Sequence, residues 1–236
     1  YIQAFRNAYR YSKQGIVSIE NFIEGIEVGG DVFVFKGICK LFTCTYKHMS
    51  GTLIIGHSIP GSQSIDIHKE IIRQIELICV NINYLNGPIN YDAIIYNNQV
   101  TILEIGLRNG GNGITDLVYY NMGVDLHLLN LLYVTSNLLD IPNRLTNIPV
   151  SSIVFGARNK DIIKYLPTLS ELKIKIPNLL DICYAVSKNS TIYPFIDSSN
   201  LIGYAILSCK WDEYIDYARE FLGILSRKLK IELLEM

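Results

Sequence analysis

Apolar residues recur along this chain with two different periods, and the switches between them divide it into elements. Gln3 to Lys13 have helical composition, and Gly15 stops them. Ile16 to Ile19 read as a short strand, followed by two long ones, Val28 to Lys36 and Ile38 to Tyr46, that turn at Lys36-Gly37. His48 to Gln63, with its glycines and a proline, reads as a loop. From Ile65 the isoleucines return at Ile67, Ile71, Ile75, Ile78 and Ile82, the stripe of an amphipathic helix with Ser64 or Asp66 as N-cap. A strand from Gly87-Pro88 to Tyr96 turns at Asn97-Asn98-Gln99 into another, Val100 to Ile105. Helices can begin at Thr115 or Asp116 and again at Asp125, and Pro142 to Pro149 is the best linker. Strands near Ser152 to Phe155, Leu180 to Ser187 and Ile202 to Ser208, with a helix through Leu172, lead to a last amphipathic helix carrying Trp211, Tyr214, Phe221, Leu225 and Leu229. The pattern predicts an α+β fold: a mostly antiparallel sheet with helices packed on one side.

The register of the Asn97 hairpin decides what one sheet face carries. A two-residue loop pairs Tyr96 with Gln99, sets Asp92 against Leu103 and sends Glu104 to the other face. A three-residue loop pairs Tyr96 with Val100. Ile94 then opposes Ile102, Asp92 opposes Glu104, and Asn90 opposes Gly106. Only the second register collects these polar and apolar residues on one face, and asparagine tolerates the left-handed backbone of the longer turn, so that register is expected. Two opposed carboxylates repel by a few tenths to about 1 kcal/mol, and a divalent cation removes that conflict. The bland alternative is a hydrated polar face. Beyond the strand, Arg108 and the turn Asn109-Gly110-Gly111-Asn112 add a forked cation and accessible backbone amides, a set suited to a metal carrying phosphate.

The composition narrows the choice of partner. With 236 residues and a formal net charge of -1, the chain has no electrostatic footprint for nucleic acid or an anionic membrane. Mean hydropathy is positive, +0.23, yet no apolar run approaches the roughly 20 residues that span a bilayer. Cys39, Cys44, Cys79, Cys183 and Cys209 form no C-x-x-C pair and have apolar neighbours, which predicts buried free thiols in a reducing cytoplasm. The chain opens on Tyr1 with no leader pattern, so a truncated, processed or disordered start is expected. Lys47, His48 and His57 flank the expected loop and could contact phosphates or substrate, although isolated basic residues on loops are usually solvated. Asp31, after Gly29-Gly30, reads as a bulge-shaping residue.

Taken in order, these segments resemble the ATP-grasp superfamily. Glu20-Asn21-Phe22-Ile23-Glu24-Gly25 is similar to the stretch that joins the two lobes of that fold and lines its adenine pocket. The resemblance implies that Glu20, Asn21 and Ile23 recognise the adenine edge and that Glu27 reaches the ribose. It makes Ile94 and Ile102 the apolar floor, Asp92 and Glu104 the magnesium ligands, and Arg108 the residue that holds a substrate carboxylate or acyl phosphate. Gly106 departs from the family pattern Glu-x-Asn-x-Arg, which removes one side-chain ligand; the Glu-x-Gly-x-Arg form is similar to ligases of the amino-acid or peptide type. By the same resemblance, residues 1–25 end an N-terminal lobe, 26–141 form the metal-bearing C-terminal lobe, and 150–236 are an α+β extension. The N-terminal domain and the first lobe are not in the sequence.

The expected activity is a carboxylate–amine ligation that uses ATP and magnesium. Its substrates would be small molecules, with no nucleic acid or membrane partner, and a homodimer is compatible with it. The alternatives are carbamoyl-phosphate-synthase-like or biotin-carboxylase-like chemistry, or a non-catalytic nucleotide-binding fragment. At Arg108 the alternative is a salt bridge to Asp116 that closes the turn.

Overall fold

In the computed structural model of the protein, residues 1–61, 63–136, 141 and 146–235 are described. Helix α1 (Ile2–Tyr11) leads through an extended segment to β1 (Ile26–Phe35), β2 (Ile38–Phe42), β3 (Thr45–Ser50), β4 (Leu53–Ile59) and α2 (Ile65–Asn81). The hairpin β5 (Asn86–Tyr96) and β6 (Gln99–Gly106) precedes α3 (Ile114–Met122) and α4 (Leu126–Ser136). Then come β7 (Val150–Gly156), β8 (Asp161–Ile162), α5 (Leu169–Lys173), β9 (Leu179–Tyr184), β10 (Thr191–Ile192), β11 (Leu201–Leu207) and α6 (Tyr214–Leu229). Nine strands make one antiparallel sheet in the order β6-β5-β1-β3-β4-β7-β11-β9, with β2 pairing the far end of β1.

The isoleucine stripe forms α2 as expected. Ser64 caps it, and Ile67, Ile71, Ile75 and Cys79 are buried against Val28, Val32, Ile89, Tyr91 and Ala93. On the same sheet face, α6 buries Ala218, Phe221 and Leu225 against Ile153, Phe155 and Ala205. The expectation of helices on one side holds for these two. Helices α3 and α4 lie on the other face, where Leu117, Val118 and Leu129 pack on Phe33, Ile59, Val150 and Ile206. A strand buried on both faces needs cover on both, and β7 is buried along its whole length.

Other expectations change with context. Residues 16–19 form no strand. The expected loop from His48 to Gln63 contains most of a hairpin, β3 and β4 turning at Gly51-Thr52. Its glycines mislead because Gly56 marks a close backbone approach: a Cβ there would run into the carbonyl of Ser152 and the ring of Tyr214. The segment 38–46 is split between β2 and β3, because Thr43 breaks the run to bond Asp31 through both its backbone and its hydroxyl. Cys183 is exposed, whereas Cys44, Cys79 and Cys209 are buried and Cys39 is partly so. Residues 142–145 of the expected linker lie outside the described residues. After it the sheet simply continues, since β7 pairs with β4 from Gly56↔Ile153 to Ile59↔Val150. No helix among the described residues is long and apolar enough to cross a membrane.

Candidate functional site: the uncovered sheet face at the β5–β6 hairpin

Both hairpin registers occur, one on each side of a bulge. At the tip a two-residue loop pairs Tyr96 with Gln99, with Asn97 and Asn98 at φ 48° and 60°, the left-handed pair that a type I′ turn requires. The three-residue loop is therefore wrong. The pairing shifts between Asp92 and Ala93, one extra residue of β6 is absorbed there, and from that point Asp92 stands opposite Glu104 and Asn90 opposite Gly106. The bulge also turns Ile102 and Ile105 to the same side, both packed toward the α2 core. Ile102 opposes Ala93, not Ile94, so it is on the α2 face and forms no floor beside Ile94. Ile94 opposes Glu27 and Thr101, and the chain at Gly25 passes so close that a Cβ would come within 2.6 Å of Ile94 Cγ2.

On the face away from α2, Glu27, Gly29 and Asp31 of β1 lie beside Asn90, Asp92 and Ile94 of β5. From the other side β3 contributes Lys47, whose Nζ is 2.7 Å from Asp92 Oδ1. This ion pair crosses β1 above Gly29, where a Cβ would come to 2.8 Å from the Asp92 oxygen and 3.0 Å from Lys47 Cε. The lysine side chain is 3% exposed and the aspartate side chain 35%, so the pair faces solvent through the carboxylate. Beneath Lys47, buried His57 shares a 2.9 Å hydrogen bond between Nδ1 and Thr45 Oγ1. Burial, helped by the Lys47 charge, holds this imidazole down at about 3, so it is neutral near pH 7. His48 points to the opposite face, where it stacks on Tyr214 and shares a 2.7 Å hydrogen bond with Ser58. These basic residues sit in strands, not on a loop.

Asp31 does more than shape a bulge. Gly110 N–H donates to both of its carboxylate oxygens at 2.9 Å, and Asn90 Nδ2 donates to Oδ1 at 3.0 Å. This buried carboxylate latches the glycine turn to the sheet. Burial raises its pKa to about 6, against the opposing pull of the Gly110 and Asn90 hydrogen bonds. Gly110 has no room for a side chain, since a Cβ would come to 2.8 Å from both Asp31 Oδ1 and Asn90 Nδ2. The turn then enters α3 through Gly113 at φ 81°, one residue before Ile114. This N-cap precedes the expected start at Thr115 or Asp116.

Arg108 is exposed and folds back over Gly106, with its Nη1 donating to the Asn109 carbonyl at 2.9 Å. Asp116 accepts instead from Tyr204 OH at 2.7 Å, so no salt bridge between Arg108 and Asp116 closes the turn. Glu104 is exposed opposite Asp92. No group of three His, Cys, Asp or Glu side chains fit to hold a metal occurs among the described residues. Two carboxylates remain, an all-oxygen set that fits magnesium when phosphate and water complete its shell. Of the expected adenine residues, Glu27 is half-buried beside Ile94; Asn21 is exposed on the extended segment, Ile23 is half-buried there, and Glu20 accepts a 2.6 Å hydrogen bond from Ser18 Oγ. The sequence pattern does not predict the ion pair of Lys47 or the latch formed by Asp31. The alternation Thr45-Tyr46-Lys47-His48 was the available signal for a strand.

No protein-family model and no curated protein matches the chain. Solved structures do. Phosphoribosylglycinamide synthetase from Anaerococcus prevotii superposes with a TM-score of 0.68 at 21% identity, over 100% of this chain and 60% of the other. An L-amino acid ligase from Bacillus licheniformis gives 0.69 at 14% identity, over 91% and 55%. The biotin carboxylase domain of Hydrogenobacter thermophilus 2-oxoglutarate carboxylase, solved with magnesium ADP and bicarbonate, gives 0.72 at 16% identity, over 94% and 51%. The chain thus spans between half and three-fifths of each of these proteins. At such identities the likeness is one of fold alone: the chain has the fold of these ATP-grasp proteins over the part of them that it spans.

Proposed function

We propose that this chain is the metal-bearing half of an ATP-dependent carboxylate–amine ligase. The observation that carries the reading is the placement of Asp92 opposite Glu104 on an uncovered sheet face, next to Arg108 and the glycine turn. Asp92 and Glu104 would hold magnesium, which when bound offsets the negative charge of the nucleotide phosphates. Glu20, Asn21, Ile23, Glu27 and Ile94 would take the adenosine. Arg108 would grip the substrate carboxylate and then its acyl phosphate through a bidentate fork. No protein nucleophile is needed, because the substrate carboxylate attacks the γ-phosphorus of ATP and the amine then displaces phosphate from the acyl carbon. Residues 1–25 would end an N-terminal lobe, 26–141 form the metal lobe and 150–236 extend it.

The test is trapping. The protein, with whatever flanks this chain in its full length, is incubated with ATP, magnesium and panels of amino acids or short peptides in the presence of hydroxylamine. A hydroxamate formed in step with ADP is the expected result. ADP release that no carboxylate stimulates, with no hydroxamate, would sink the ligase reading.

A further inference from the structure

The cation beside Asp92 is a lysine, and it is held by more than chance proximity. Lys47 reaches it from β3 across the backbone of Gly29, the one position in β1 where the lack of a Cβ leaves room for the pair. The ammonium is buried and its ion pair to Asp92 is short. Of the other titratable groups around it, His57 is neutral and supplies no counter-charge, and Glu27, which lines the same cleft from β1, forms no ion pair among the described residues. Glu104, directly opposite Asp92, takes part in no ion pair among the described residues. The cluster of two carboxylates and one ammonium therefore carries a net charge of -1.

We propose that Lys47 competes with the divalent metal for Asp92, so that the metal is taken up together with an anionic nucleotide and not before it. This rests on the metal site proposed above. A dication placed between Asp92 and Glu104 would turn the cluster from -1 to +1, with an ammonium within a few ångströms of the ion. At that spacing like charges repel strongly in a half-buried setting, and Lys47 would have to give up its ion pair with Asp92. Nucleotide phosphates reverse the balance by adding negative charge at the same place. The coupling is reciprocal: nucleotide raises metal affinity by the factor by which metal raises nucleotide affinity. A cleft with no lysine at this position would bind the free ion on its own.

Manganese serves as the probe, with free Mn2+ measured by electron paramagnetic resonance in the presence and absence of ADP. Lys47→Met keeps the unbranched stem up to the ε position and removes the charged ammonium. It should bind Mn2+ without nucleotide about tenfold more tightly than the wild type, and saturating ADP should shrink that difference to less than about twofold. Equal Mn2+ affinities without ADP would overturn the competition, while Glu104→Gln, if it still weakens Mn2+ binding with ADP, shows that the metal site stands. If Glu104→Gln leaves that binding unchanged, the metal site itself is wrong and the proposal falls with it. The wild type gives an independent readout should Lys47→Met fail to fold. In 15N-lysine spectra the Lys47 ammonium should be protected from exchange in the free protein and lose that protection on adding Mg2+ and ADP; an ammonium equally protected in both would also overturn the proposal.

Discussion

The sheet face that carries α3 and α4 has two halves, and β1 passes from one to the other. Toward its start the strand presents Glu27, Gly29 and Asp31 to this face; two residues later it presents Phe33, buried with Leu117 and Leu129. The strand geometry is the same throughout, and only the cover differs. Under the helices the face is apolar and close-packed. Beyond them it holds an ion pair, a free carboxylate and glycines set where side chains would collide with polar groups. Asp31 marks the seam, because its carboxylate binds the backbone at Gly110, three residues before α3 is capped. The covered half stabilises the fold, and the open half is organised for charge.

Four experiments can break or sharpen this division. In the covered half, Leu117→Ala should cost about 2–5 kcal/mol of stability through lost burial and a cavity, read by denaturant melts, with ATP turnover per folded molecule nearly unchanged. In the open half, Glu104→Ala should do the reverse, lowering ATP turnover at least about a hundredfold while stability stays within about 0.5 kcal/mol. Near-normal kcat at saturating magnesium would remove Glu104 from the ligand set. At the seam, Asp31 has a folded-state pKa raised from 3.8 to about 6, so the folded protein holds this proton more tightly than the unfolded chain does. Its contribution is therefore greatest below about pH 4 and is lost as pH rises to about 6, a fall of roughly 2–3 kcal/mol. The stability of wild type relative to Asp31→Asn should decline over that window, and a difference flat from pH 4 to 7 would contradict the strained carboxyl. The smallest effect is expected at Arg108→Lys. It should raise the KM for the carboxylate about tenfold more than the KM for ATP, because a point charge cannot reproduce a bidentate fork. Equal changes in both would take Arg108 away from the acid.

Much of the opposite sheet face, under α2 and α6, was legible in sequence. The isoleucines of α2 and the last helix from Tyr214 to Leu229 follow a single period, and burial obeys it. The opposition of Asp92 and Glu104 was also legible, although for an incomplete reason. Polar clustering points to the pairing and, with it, to a three-residue loop, whereas Asn97 and Asn98 form a two-residue turn and a bulge restores the pairing beyond it. Bulges leave little trace in composition, so the pattern alone puts Ile102 on the wrong face. Lys47, His48 and His57 look like loop residues because glycine usually signals a turn, whereas Gly56 is needed where β7 and Tyr214 press on β4. Helices on both faces leave no mark in the sequence, because periodicity tells which side of a helix is buried but not on which side of the sheet that helix lies.

The continuation of the sheet through β7 also bears on how the molecule is made. The backbone amide of His57 donates to Ser152 Oγ, 95 residues further along the chain. During synthesis β4 must therefore wait for the last third of the polypeptide before its outer edge is paired, and such long-range closure slows folding. A shortened version ending near residue 141, where the sequence invites a cut, would present β4 as a raw edge. Its unpaired amides and carbonyls, next to buried Ile55 and Ile59, are a template for self-association. Recombinant versions that keep the chain through β11 and α6 should stay dispersed where the trimmed ones precipitate.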